Sequence, residues 1–170
     1  ECPGHPAWCE PYEWLGSDKA QRYPFHLLSN QPATRLHSQL DPARLSQSTK
    51  IGGREPIEIA AADARARGIA NGDTVRGFNA RGAFLAGAVL VDHLYPGVLQ
   101  IATGAWFDPA QGGKPGALEK GGNPNVVTLD KGTSRLTQCS AAQTVLVDIE
   151  KVTDAPRVTS YDLPEIAVPD

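Results

Sequence analysis

Apolar residues along this chain come in short bursts, and glycine- and proline-rich polar stretches separate them. The burst Tyr23-Pro24-Phe25-His26-Leu27-Leu28 predicts a short buried strand. Arg54-Glu55-Pro56 leads into Ile57-Glu58-Ile59, whose alternation predicts a second strand. Ala60 to Arg67 is alanine-rich with two arginines, a strong helix former. Gly68 and Ile69 then supply a left-handed cap residue and its usual hydrophobic contact. Asn71-Gly72-Asp73 is a turn before a strand over Thr74 to Asn79. Ala80-Arg81-Gly82 closes a hairpin onto the long alternating segment Ala83 to Val91. Tyr95-Pro96-Gly97 suits a type II turn, and Val98 to Thr103 returns as a strand. Gln143 to Glu150 is the last strand, with Val145, Val147 and Ile149 on one face. Five to seven short strands with one or two small helices make a mainly β chain, and a closed barrel removes the sheet edges.

The linking stretches divide the chain into three parts. Residues 1–22 form a proline-containing leader with a turn near Glu13-Trp14-Leu15; Trp8 and Trp14 would anchor it as an arm, or it is the remnant of a preceding domain. Residues 23–150 hold the barrel, and residues 151–170 form an extended tail that a partner would order. Within the barrel region, Asp41 to Gly53 is polar and aperiodic, as a surface connection would be. Gly104 to Pro124 is a long loop of the kind that usually carries function, and Thr133 to Gln138 is a second polar run.

Composition narrows the classes. The chain has 170 residues, 17 Gly and 14 Pro, which favours strands and structured loops over helices. A net charge of -3 gives no reason to expect nucleic acid. No apolar run approaches the roughly 20 residues of a membrane span, so no membrane insertion is expected. The chain starts at Glu1 and contains no Met, the mark of a processed chain, a trimmed one or a piece of something longer. Three cysteines (Cys2, Cys9, Cys139) do not close a disulfide framework. Cys2 and Cys9 could pair in oxidising conditions; free thiols in a reducing compartment are the expectation.

The common catalytic signatures are missing. There is no phosphate loop, no dinucleotide Gly-x-Gly-x-x-Gly and no Gly-x-Ser-x-Gly elbow. His5, His26, His37 and His93 lie far apart, and no metal-ligand or catalytic set is assigned. The positive signal is the polar run Ser29 to Gln39 leaving the end of a core strand. Its amides (Asn30, Gln31, Gln39), hydroxyls (Ser29, Thr34, Ser38), guanidinium (Arg35) and imidazole (His37) can read a large heteroaromatic edge and a phosphate. Gly104-Ala105-Trp106 and Asn123-Pro124-Asn125 join it from the long loop, and Gln138 from the second polar run.

Taken in order, several motifs resemble the C-terminal molybdopterin dinucleotide-binding domain of the dimethyl sulfoxide reductase family. They are Leu27-Leu28-Ser29-Asn30-Gln31-Pro32, Arg35-Leu36-His37-Ser38-Gln39-Leu40, Gly53-Arg54-Glu55-Pro56, Gly68-Ile69-x-x-Gly72-Asp73, Asn79-x-Arg81-Gly82, Gly104-Ala105-Trp106-Phe107-Asp108-Pro109, Asn123-Pro124-Asn125-Val126 and Gly132-Thr133-Ser134-Arg135-Leu136-x-Gln138. The closest subgroup is the biotin sulfoxide and trimethylamine N-oxide reductases, and the resemblance covers about Tyr23 to Glu150. It implies a double-psi β-barrel with one or two short helices and long loops. It also implies a longer parent enzyme that carries molybdenum between pyranopterin guanine dinucleotides. Cofactor contacts would come from Ser29, Asn30, Gln31, Arg35, His37, Ser38, Gln39, Trp106, Asn123, Asn125 and Gln138, with Arg35 neutralising the pyrophosphate. The metal ligand would lie in other domains, which are the expected partners. Sulfoxide-type relatives are cytoplasmic, the placement adopted here, whereas the N-oxide type is often exported. One departure is Gly77, where the family's strand usually carries a β-branched residue; this would weaken the strand.

Two other classes compete. A pyruvoyl-type barrel enzyme would cut itself at Gly16-Ser17, the only Gly-Ser pair. A stand-alone binding barrel would show an exposed apolar groove.

Overall fold

The computed structural model describes residues 3–163. Six strands close into one barrel: β1 (Phe25–Leu28), β2 (Pro56–Ala60), β3 (Thr74–Phe78), β4 (Ala83–Val91), β5 (Val98–Ile101) and β6 (Leu146–Lys151). Their order around the barrel is β1-β5-β2-β4-β3-β6. β1 with β5 and β2 with β4 are parallel, and the remaining neighbours are antiparallel. The chain is therefore mainly β, as the double-psi barrel expectation requires.

Alternation sets which face is buried. Leu27, Ile57, Ile59, Val75, Phe84, Leu99, Ile101, Val145, Val147 and Ile149 point inward into one core cluster. Each such aliphatic side chain contributes about 1.5–3 kcal/mol of burial. β4 breaks the alternation, because its outward residues are buried too. Leu85 is fully covered, its N–H donates to the Glu119 carbonyl, and a Cβ on Gly87 would strike Ile51. Loops thus pack over the outside of β4.

Two helices are short: α1 (Arg44–Gln47) and α2 (Ala61–Ala66). α2 ends as expected, with Gly68 at φ +64° and the Ile69 N–H reaching back 2.9 Å to the Ala64 carbonyl. α1 was not expected; it lies inside the stretch read as a surface connection, where Asp41 and Ser46 are fully buried. Gly77 also departs from expectation. It pairs across the ladder with Phe84, whose ring lies where a Gly77 Cβ would be, at 2.5 Å. The glycine makes room for the largest core side chain rather than leaving a gap.

The leader folds back on the barrel, and Trp8 is not what holds it there. Trp8 is 76% exposed, with its ring edge-on to Trp14. The anchor is Glu13, buried to 3% exposure. Its carboxylate accepts from Arg81 at 2.8 and 2.9 Å, from Lys19 at 3.2 Å and from the Leu146 N–H at 3.0 Å. A 3-10 helix over Asp18–Gln21 then leads into β1. After β6, residues 156–161 lie back on the barrel's loops. The final prolines of the tail and Cys2 fall outside the described residues; Cys9 and Cys139 are exposed thiols. Among the described residues no helix is long and apolar enough to cross a membrane.

Candidate functional site

The polar run begins where β1 ends. The Gln143 side chain donates to the Ser29 carbonyl at 2.7 Å and accepts from the Ser29 N–H at 3.0 Å, which fixes the root of the loop. The Thr103 N–H donates to the Asn30 carbonyl at 2.8 Å, tying the loop to the end of β5. Gln31 Nε2 lies 3.2 Å from His37 Nδ1. His37 itself has φ +50°, a strained conformation for a residue with a Cβ.

Arg35 turns inward. Its side chain is fully buried, and it donates to the His37 carbonyl (3.0 Å), Ser46 Oγ (3.3 Å), Glu55 Oε1 (3.2 Å) and the Thr103 carbonyl (3.0 Å). The guanidinium expected at the pyrophosphate is here engaged with the protein's own groups and does not line the cavity described below. Four internal acceptors occupy its fork. Behind it Asp41, Lys50 and Glu55 complete a buried cluster of two cations and two anions. Lys50 Nζ sits 2.9 Å from Asp41 and 2.7 Å from Glu55. Burial pushes the Asp41 carboxyl up, but hydrogen bonds from Lys50, Trp106 N–H and Tyr161 outweigh it and hold the group below its ordinary range. Burial works against the Lys50 ammonium, and Glu55 more than restores it, so its pKa rises.

The long loop is organised by a second buried carboxylate. Glu119 accepts from the backbone N–H groups of Asp108, Gly121, Gly122 and Asn123 at 2.7–3.2 Å. Burial pushes this carboxyl up, against the pull of those four donors. Asn123 then donates to the Ala105 carbonyl at 2.8 Å and accepts from the Asn125 N–H at 3.0 Å, capping the 3-10 helix Pro124–Val127. Gly104 has φ +89°, and a Cβ there would lie 2.2 Å from the His37 carbonyl carbon. Only glycine lets the two loops cross so closely.

These loops form the walls of an open cavity of about 570 Å³, lined by His37, Ser38, Thr103, Gly104, Ala105, Trp106, Phe107, Asn123 and Asn125. The Trp106 indole N–H donates to the Ser38 carbonyl at 2.9 Å, locking one wall to another. The structure thus brings together His37, Ser38, Trp106, Asn123 and Asn125. Asn30 lines a smaller cavity of about 210 Å³ with Thr34, Glu55 and Gln100. Ser29, Gln31 and Gln39 support the loop without lining either space. Gln138 belongs elsewhere, in a cavity of about 410 Å³ beside Tyr12 and Thr133. Gly16 and Ser17 line none of these cavities. Among the described residues no group of His, Cys, Asp or Glu could hold a metal ion.

Sequence reasoning missed Asp41, Lys50, Glu55, Glu119 and Tyr161. One signal pointed to Glu119: a carboxylate two residues before a Gly-Gly pair, whose N–H groups are free to converge on it. The main cavity offers an imidazole, two hydroxyls, two amides and two aromatic rings, with no carboxylate, thiol, Lys or Arg in its lining. That set can hold a flat polar molecule.

Barrel and cavity together define a small-molecule-holding β-barrel domain, and comparison with known proteins agrees. The chain belongs to the molydopterin dinucleotide binding domain family, whose sequence model matches residues 25–146. It is 55% identical to trimethylamine-N-oxide reductase 1 of Escherichia coli (strain K12), over 89% of this chain and 18% of that protein. It is 47% identical to the dimethyl sulfoxide/trimethylamine N-oxide reductase of Cereibacter sphaeroides, over 97% of this chain and 20% of the relative. It is 51% identical to the biotin sulfoxide reductase of Cereibacter sphaeroides, over 88% and 20% respectively. The chain thus spans about a fifth of the length of these relatives. Among solved structures, acetylene hydratase from Pelobacter acetylenicus shares the fold, with a TM-score of 0.63 and 18% identity over 86% of this chain and 21% of that one.

Proposed function

We propose that this chain is the domain of a longer molybdenum S-oxide or N-oxide reductase that holds a molybdopterin guanine dinucleotide, and that it supplies no catalytic residue or metal ligand. The observation that carries this reading is the convergence of three sequence-distant loops, through His37–Ser38, Trp106–Phe107 and Asn123–Asn125, on one cavity of about 570 Å³. A space of this size, polar at one edge and aromatic at another, fits part of a large heterocyclic cofactor. Its lining lacks Lys and Arg, so it suits the pterin better than the pyrophosphate. His37, Ser38 and Asn125 are the residues that would pair with the pterin edge; the bound group would supply the redox chemistry.

Exposed apolar residues around these loops, Leu36, Leu40, Leu45 and Phe107, support burial against other parts of such a parent. The test measures guanine nucleotide and pterin released by acid from the purified full-length protein. His37→Ala and Asn125→Ala are expected to weaken retention about fivefold each, the loss of one hydrogen bond of about 1 kcal/mol. Full cofactor content in both variants would refute the assignment.

A further inference from the structure

The C-terminal segment touches the cavity walls from behind. The Tyr161 hydroxyl donates to Asp41 Oδ2 at 2.8 Å, and the Trp106 N–H donates to the same oxygen at 2.9 Å. Tyr161 also lies beside the Trp106 indole, with ring centroids 6.2 Å apart, and beneath the Lys50 ammonium at 5.5 Å. Two residues earlier, Thr159 donates to Asp108 from its N–H at 2.6 Å and its hydroxyl at 2.7 Å. The Ser160 N–H adds a bond of 3.2 Å to the same carboxylate. Lys120 Nζ reaches Thr159 Oγ1 at 2.7 Å, and Arg54 donates to the Pro156 carbonyl. Val158 is buried over Gly53. The segment is thus fastened at two points of the long loop, on either side of Phe107.

We propose that residues 156–161 act as a strap that sets the cofactor cavity, with Tyr161 and Thr159 as its positioning residues. The proposal rests on the cofactor-holding reading of that cavity. Its logic is geometric. Asp41 Oδ1 is held by Lys50, Ser46 and Arg35, so the carboxylate has a fixed place. Its other oxygen accepts from both the Trp106 N–H and the Tyr161 hydroxyl, so the strap and the long loop meet on one atom. Arg35, braced by the same carboxylate, grips the carbonyls of His37 and Thr103. Three residues of the cavity lining therefore take their backbone position from a cluster that Tyr161 caps.

The experiment uses the full-length protein and reads the rate at which bound cofactor is released. Tyr161→Phe keeps the ring beside Trp106 and removes only the hydroxyl. The expected result is release about tenfold faster, the loss of a hydrogen bond to a charged group. Thr159→Ala should act in the same direction. Val147→Ala, a core deletion in β6, provides a parent of matched lowered Tm. If Tyr161→Phe releases cofactor no faster than that control, the residue is merely structural and the strap is overturned. Asn125→Ala separates the two failures. Unchanged retention in Asn125→Ala would break the cavity assignment itself, whereas loss in Asn125→Ala with none in Tyr161→Phe would break only the strap.

Discussion

Replacing Glu13 with glutamine removes one charge and almost no volume, and it should detach the leader from the barrel. Burial alone would raise the Glu13 pKa. The Arg81 hydrogen bonds, the Leu146 N–H, the Arg81 charge and Lys19 reverse that and bring it from 4.5 to about 2. At about 1.4 kcal/mol per pKa unit, the difference is worth about 3 kcal/mol of folding stability at neutral pH. Because the folded value is the depressed one, this contribution is complete above pH 4.5 and fades as pH falls towards 2. About half of it survives near pH 3. Glu13→Gln should therefore lower stability by about 3 kcal/mol at neutral pH, or about 6–12 °C in Tm for a chain of this size. The gap between the two proteins should narrow as the solution is acidified through that window. Urea denaturation at neutral pH and near pH 3 measures both. An equal loss at the two pH values, or a loss below about 1 kcal/mol at neutral pH, would refute the reasoning. The pair would then resemble an exposed one such as Arg76–Glu150, and pairs of that kind contribute about 0–1 kcal/mol.

Two glycines give opposite tests of what backbone position demands. Gly77→Val raises strand propensity yet places a Cβ 2.5 Å from the Phe84 ring, so a loss of about 1–3 kcal/mol in denaturant unfolding is expected; a gain would mean that propensity outweighs packing. Gly104→Ala puts a Cβ against the His37 carbonyl at a φ of +89°. It should cost about 1–3 kcal/mol and lower cofactor content in the full-length protein, and normal content would show that the crossing of the two loops does not shape the cavity.

The barrel was legible because each strand is specified locally. Ile57-Glu58-Ile59 and Val145 to Ile149 carry their own alternation, and Gly68-Ile69 carries its own helix end. The cavity was partly legible for the same reason: His37, Ser38, Trp106 and Asn125 are polar or aromatic residues next to glycines and strand ends. The buried ion cluster was not. Asp41 and Lys50 look in sequence like any solvated loop charge, and only the fold shows that Arg35 and Glu55 neutralise them. Tyr161 joins Asp41 across 120 positions, beyond any local pattern. Trp8 misled in the other direction. A large aromatic suggests an anchor, but here the directed bonds of Glu13 hold the arm, and the indole stays in solvent.

The inward turn of Arg35 changes how the polar run works. A charged group in a loop can meet a ligand or brace the loop, and a buried one must be paired to be tolerated. Arg35 braces: two carboxylates hold its charge, and its donors fix the carbonyls of His37 and Thr103. The polar side chains left at the cavity are then an imidazole, two hydroxyls and two amides. Neutral donors and acceptors discriminate by the pattern along a heterocycle's edge, whereas a cation there would attract any anion. A wall made rigid by buried charge and lined by hydroxyls, amides and an imidazole therefore suits a specific heteroaromatic ring system better than free phosphate. A dinucleotide's pyrophosphate, in turn, would have to be met outside this cavity.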